Sequence, residues 1–189
     1  RRLRGADAGF MMHFTMHKTI AVLLSVLMLP AAARAASSAP AGPHPWTDAP
    51  VRGGAEDFHF AVVGDRTCCM RPGVFEDAVE KLNLLRPDFV ISIGDFIPGY
   101  TEDMKYAEET WKEFDALVRR LDSRFYYVPG NHDMTNPRLR ELWRKRYGRD
   151  YYHFTHRNVL FLAVCSEDGA EWTIGPEQAA YFKGVLAAN

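Results

Sequence analysis

Three short stretches carry the residues that could do chemistry. "VVGDR" (62–66), "SIGDF" (92–96) and "VPGNHD" (128–133) each close an apolar run with a Gly and then offer an oxygen-bearing side chain. Those side chains are Asp65, Asp95 and Asn131, spaced 30 and 36 residues apart. Two carboxylates and an amide oxygen gathered at one place repel unless a cation sits among them. His132 and Asp133 follow directly. An imidazole is the side chain that gives or takes a proton near neutrality, and a neighbouring carboxylate can orient or charge-tune it. Arg66, next to Asp65, has the planar fork that matches phosphate oxygens. A single Gly-Asp after a strand says little, because Asp also caps turns and helices. Three such endings in this order say more.

The elements between them must bring these residues together. "FHFAVVG" (58–64) is a near-continuous apolar run, the mark of a strand buried on both faces. Val74, Phe75, Ala78, Val79, Leu82 and Leu85 recur at helical spacing, with Pro72 at the start. "DFVISIG" (88–94) is a second strand, and Met104 to Leu121 step as a long amphipathic helix. "FYYVPG" (125–130) is a third strand, residues 137–147 a short helix, and residues 151–164 two strands joined near Arg157-Asn158. A last helix begins at about Gly175. Strands alternating with helices predict an α/β fold with a largely parallel sheet, whose strand ends line one ligand crevice. The Gly at each strand end lets the chain turn so that the next side chain projects over that edge.

The first 35 residues read as separate from the domain. Met16 is the expected start. A basic n-region, an apolar run from Ile20 to Leu29 and Ala33-Arg34-Ala35 form a secretory signal pattern. The run falls short of the ~20 residues a membrane span needs. Residues 36–56, rich in Pro, Ala, Ser and Gly, read as a linker or extended lead-in, with His44 and Trp46 incidental. Residues 36–189 hold 18 basic and 23 acidic residues, a net charge of −5. That balance makes a poor general binder of nucleic acid. Cys68, Cys69 and Cys165 are the three cysteines, too few for a disulfide framework. Cys165 reads as a buried thiol, and Tyr100 as a residue that shapes the pocket or packs. The basic run Arg138, Arg140, Arg144, Lys145, Arg146 and Arg149 reads as a solvated helix face, or more sharply as a positive rim.

These motifs resemble the calcineurin-like metallophosphoesterase superfamily. The chain is similar to exported bacterial members reading "GDRTGG", "GVFEDAVEKLNLLRPDFV", "GYTED" and "YVPGNHD". The resemblance implies an αββα sandwich around two metal ions, Mn, Fe or Zn. It implies that Asp65 binds the first metal, Asp95 bridges both, and Asn131 binds the second. His132 would protonate the leaving oxygen or stabilise the charged transition state, with Asp133 behind it. The implied reaction is hydrolysis of a phosphate ester or anhydride by a metal-activated hydroxide, in an exported protein, periplasmic or extracellular. A phosphorylated small molecule or other phosphoester is the implied partner. Two departures bear on this: Thr67 stands where the family has a metal-binding His, and Cys68-Cys69 where the branch has Gly-Gly. The family also draws metal-binding histidines from a later half, so residues 57–189 read as the N-terminal part of such a domain, expected to be weakly active or inactive by itself. The rival readings are a non-catalytic exported domain with a degenerate metal site, and a nuclease or cyclic-nucleotide phosphodiesterase on the same fold.

Overall fold

A computed structural model describes residues 42–53, 57–67, 70–168 and 173–189. The signal-peptide reading and the Cys68-Cys69 departure lie outside the described residues. The element order is β1 (Phe60–Val63), α1 (Val74–Leu85), β2 (Phe89–Ser92), α2 (Met104–Val118), β3 (Arg124–Tyr126), a 3-10 turn (His132–Met134), α3 (Pro137–Tyr147), β4 (Tyr152–His156), β5 (Val159–Ala163) and α4 (Pro176–Ala188). β1, β2 and β3 form a parallel sheet in that order, and β4 and β5 pair as an antiparallel hairpin.

Local chemistry explains the boundaries. Asp103 caps α2 by accepting from the backbone N–H groups of Lys105 and Tyr106. Asn136 caps α3 by accepting from Leu139, with Pro137 in the first turn, where its missing N–H costs nothing. α1 starts later than its Pro suggests, at Val74, because Gly73 takes the cap position with φ 83°. Leu121 falls past the end of α2 yet stays buried.

The sheet is sandwiched. On one face Val90 and Phe125 meet Val79, Trp111, Phe114 and Trp143 from the helices. On the other, Phe89 and Tyr126 meet Tyr152, Phe154 and Phe161 of the hairpin. β2 is central, so Phe89 and Val90 both have no exposed area. β1 corrects its expectation: Phe60 and Val62 remain 42% and 54% exposed. It is an edge strand, paired only to β2 among the described residues, so one of its faces is only partly covered.

Part of the stretch read as a linker is fixed against the sheet. The Thr47 N–H donates to Phe125 O at 3.0 Å, Tyr127 N–H to Pro45 O at 2.8 Å and Arg124 N–H to Pro50 O at 3.0 Å. These bonds satisfy the outer edge of β3, which a bare edge strand leaves open. Trp46 is no incidental residue, because its ring lies against Tyr126 and Tyr152. No helix among the described residues is long and apolar enough to cross a membrane.

Candidate active site

The loops after β1, β2 and β3 are stitched together. Asp65 N–H donates to Gly94 O at 3.0 Å, and Thr67 N–H to Asp95 O at 3.2 Å. The Ser92 hydroxyl accepts from Val128 N–H at 2.7 Å. The loops approach closely at Gly94, where an added Cβ would stand 2.2 Å from the backbone nitrogen of Gly130. Only a residue without a side chain lets the two loops touch. At Gly130 an added Cβ would stand 2.2 Å from Asp95 Oδ1, so the aspartate carboxylate occupies that space. Asp65 and Asp95 both adopt left-handed backbone, with φ of 52° and 63°. Non-glycine residues hold that conformation at a cost and persist in it where their surroundings fix them.

Asp65 is held by its N–H bond to Gly94 O, and Asp133 fixes Asp95. Asp133 is fully buried, and each carboxylate oxygen accepts two backbone N–H groups. Oδ2 takes those of Asp95 at 2.9 Å and Gly130 at 3.0 Å. Oδ1 takes those of Phe96 at 3.0 Å and Ile97 at 3.3 Å. Burial pushes this carboxyl up to about 7, with the four N–H groups pulling the other way. The expected role for Asp133, orienting or charge-tuning the imidazole of His132, is corrected. Its oxygens are taken up by backbone, because the turns on either side point their N–H groups at it. His132 is oriented instead by Pro98, whose carbonyl receives Nδ1–H at 2.7 Å. That bond leaves Nε2 as the nitrogen for chemistry. The His132 N–H donates to Asp95 Oδ1 at 3.0 Å.

Asn131 donates from Nδ2 to the Tyr100 hydroxyl at 3.0 Å. Its Oδ1 has no hydrogen bond among the described residues. The Tyr100 ring meets the His132 ring edge-on at 4.9 Å. Sequence reasoning left Tyr100 undecided and missed Pro98. The signal was the "PG" ahead of Tyr100. Gly99 has φ 60°, and a Cβ there would lie 1.9 Å from His132 O, so this turn is built around His132.

Asp95 and Asn131 line one cleft, of about 420 Å³, that runs between β2 and β5. Asp65 lines a neighbouring cavity of about 290 Å³ against the start of α1. The Arg66 head donates to Phe96 O at 3.3 Å, lies 3.9 Å from Glu113 and sits over the Phe114 ring at 5.9 Å. A largely buried fork on an aromatic face with a carbonyl to donate to packs here, and Arg66 lines the same cavity as Asp65. The basic run is equally engaged. Arg138 pairs with Glu102, Arg144 with Asp150 and Arg146 with Asp115, while Arg149 lies over Tyr181. Cys165 is buried as expected, and burial pushes its thiol up to about 12.

Among the described residues no three of His, Cys, Asp and Glu come together as a ligand group. The other imidazoles hold structural bonds: His156 to Asp88, His153 to Tyr181 and His59 to Leu85 O. The strand ends themselves offer two carboxylates and the Asn131 oxygen. Beside them Thr67 Oγ1 is buried without a hydrogen-bond partner, at the position where the resemblance places a ligand. An all-oxygen set with one orphaned buried hydroxyl fits a hard or borderline cation.

No curated protein and no solved structure matches the chain. The family profile of the calcineurin-like phosphoesterases matches residues 57–181, which run from just ahead of β1 into α4 and take in all three Gly-ended strands. The loops that this match spans are the ones that fold onto one another here, and the chain belongs to the calcineurin-like phosphoesterase family.

Proposed function

We propose that this chain is an exported phosphoesterase that hydrolyses a phosphate ester or anhydride at the edge formed by Asp65, Asp95, Asn131 and His132. The observation that carries the reading is the pair of left-handed aspartates: Asp95 is held beside the Asn131-His132 turn by the buried Asp133, and Asp65 is tied to the same loop through Gly94 O. Family membership supports metal-dependent phosphoester hydrolysis in general. The leader-like stretch from Met16 to Ala35 supports export.

Asp65, Asp95 and Asn131 would hold the metal, an ion such as Mn, Fe or Zn. When bound, such ions activate water as a nucleophile and neutralise phosphoryl oxygens. The chain's own groups do the rest. Asp95 uses Oδ1 for the His132 N–H and keeps Oδ2 as a donor. Asn131 spends its amide nitrogen on Tyr100 and keeps Oδ1. His132 anchors Nδ1 on Pro98, and when doubly protonated it delivers the Nε2 proton to the leaving oxygen as the P–O bond breaks.

The test is turnover of an aryl phosphate by the full-length protein loaded with Mn, Fe or Zn in turn, next to Asp95→Asn and His132→Ala. Metal-dependent turnover that disappears in Asp95→Asn supports the reading. Metal binding without turnover in any form would replace it with the non-catalytic one.

A further inference from the structure

A polar cavity of about 320 Å³ opens on the Asn131 side of the edge, lined by Tyr100, Asn131, Met134, Thr135, Arg140 and Glu167. It plays no part in the hydrolytic reading above. Arg140 differs from its neighbours on α3. Arg138, Arg144 and Arg146 each face a carboxylate within ion-pair distance. Arg140 donates from Nη1 to the backbone oxygen of Glu167, and no carboxylate stands within ion-pair distance of it among the described residues. One terminal nitrogen is thus anchored, which leaves the rest of a positioned fork to a ligand. Across the cavity, the Tyr100 hydroxyl accepts from Asn131 Nδ2, so its own proton is left to donate. Tyr100 is also 64% exposed with φ 48°, an aromatic held in left-handed backbone at the mouth of the site.

We propose that Arg140 and Tyr100 form an anion subsite beside Asn131, which receives a phosphoryl or carboxylate group carried by the substrate. The fork of Arg140 matches either oxyanion. The Tyr100 hydroxyl supplies a second donor, and its link to Asn131 couples the subsite to the candidate metal edge. The buried Glu167, which also lines the cavity, disfavours a ligand that fills the whole cavity with negative charge and suits one that presents a single oxyanion to Arg140.

The inference rests on the phosphoesterase reading for the nature of the substrate, and its test does not depend on turnover. The full chain is titrated calorimetrically with methylphosphonate, and separately with acetate, in the presence of a chelator. Wild type is expected to bind one or both, and the arm that binds names the group. Arg140→Gln should weaken binding about tenfold or more, the usual worth of a charge-assisted hydrogen bond. Tyr100→Phe should weaken it several-fold. Arg140→Lys, which keeps the charge and can still reach Glu167 O, should recover part of the loss and so separates binding from misfolding. Lys145→Gln, an equal charge change at an exposed position of α3, should leave binding unchanged. No binding by wild type to either probe, or an equal loss in Lys145→Gln, overturns the proposal. Binding that follows this pattern in a chain with no hydrolytic activity keeps the subsite and removes the phosphoesterase reading.

Discussion

Replacing Asp133 with Asn is the sharpest structural perturbation available at this edge. The two side chains have the same shape. The difference is that one oxygen, accepting two backbone N–H groups, becomes an amide nitrogen that can accept none. In either orientation two of the four donors, from Asp95 and Gly130 or from Phe96 and Ile97, then face another donor. A hydrogen bond to a charged group contributes about 1.5–3 kcal/mol net, so two lost bonds cost at most about 3–6 kcal/mol, reduced because Asn also removes a charge that burial disfavours. Such a loss is a large share of the ~5–15 kcal/mol that holds a domain together. The measurement is urea unfolding at pH 8, above the carboxyl's value of about 7, followed by tryptophan fluorescence. Asp77→Asn is the control, because the Asp77–Lys81 pair has side chains 57% and 66% exposed. Exposed pairs of that kind contribute about 0–1 kcal/mol. If Asp133→Asn costs no more than Asp77→Asn, the four N–H groups are not what stabilises the loops, and the account of the strained aspartates fails with it.

Five further outcomes follow from the same geometry. Gly94→Ala forces a Cβ onto the Gly130 backbone at φ 96° and should destabilise by about 2–3 kcal/mol in the same assay. Asp95→Asn should remove both metal binding and turnover. His132→Ala should keep metal binding and slow turnover by about 10²–10⁴-fold; if it strips the metal as well, His132 is a ligand. Cys165, buried and with its thiol pushed up to about 12, should resist alkylation in the native chain at pH 8 and react once urea unfolds it, as peptide mass mapping would show. Trp46→Ala should cost about 2 kcal/mol, less than a fully buried Trp, because the ring covers only one side of Tyr126 and Tyr152.

The order of strands and helices was legible because each element repeats its own period. Val74 to Leu85 steps at helical spacing and forms α1, and residues 137–147 form α3. The strand ends were legible because Gly followed by Asp or Asn punctuates a buried run. Direction of side chains was not. Arg66 adjoins Asp65 in sequence, yet its fork turns to Phe96 O and Phe114, and nothing local to "GDR" reports a ring that arrives from α2. Asp133 adjoins His132, yet its partners include residues 36 to 38 positions away. The pairing of residues 45–50 with β3 was hidden for a related reason. A Pro-rich stretch has few donors, and what fixes it is its carbonyls meeting the open N–H groups of a strand far along the chain.

The distribution of backbone strain gives the edge its meaning. Five non-glycine residues have positive φ. Arg86 closes α1 and Arg157 turns the β4–β5 hairpin, both ordinary places for left-handed backbone. The remaining three, Asp65, Asp95 and Tyr100, lie on the loops after β1 and β2. Asn or Gly at 65 and 95 would relieve the backbone, so the carboxylates there are held against local preference. The compensation is specific. Asp65 N–H is anchored on Gly94 O, Asp95 N–H on Asp133, and Tyr100 N–H on the Thr135 hydroxyl at 3.1 Å. A fold that only needed to turn its chain at these points would have no use for two carboxylates in strained backbone. One that must present two negative groups and a neutral oxygen to cations, as proposed above, would need them, together with a buried carboxylate whose hydrogen bonds tie the loops after β2 and β3 together. It follows that Asp65→Gly should make the chain slightly more stable and less able to bind metal. Calorimetric titration with Mn beside urea unfolding measures both, and a variant that loses stability and keeps its metal affinity would refute the assignment of Asp65.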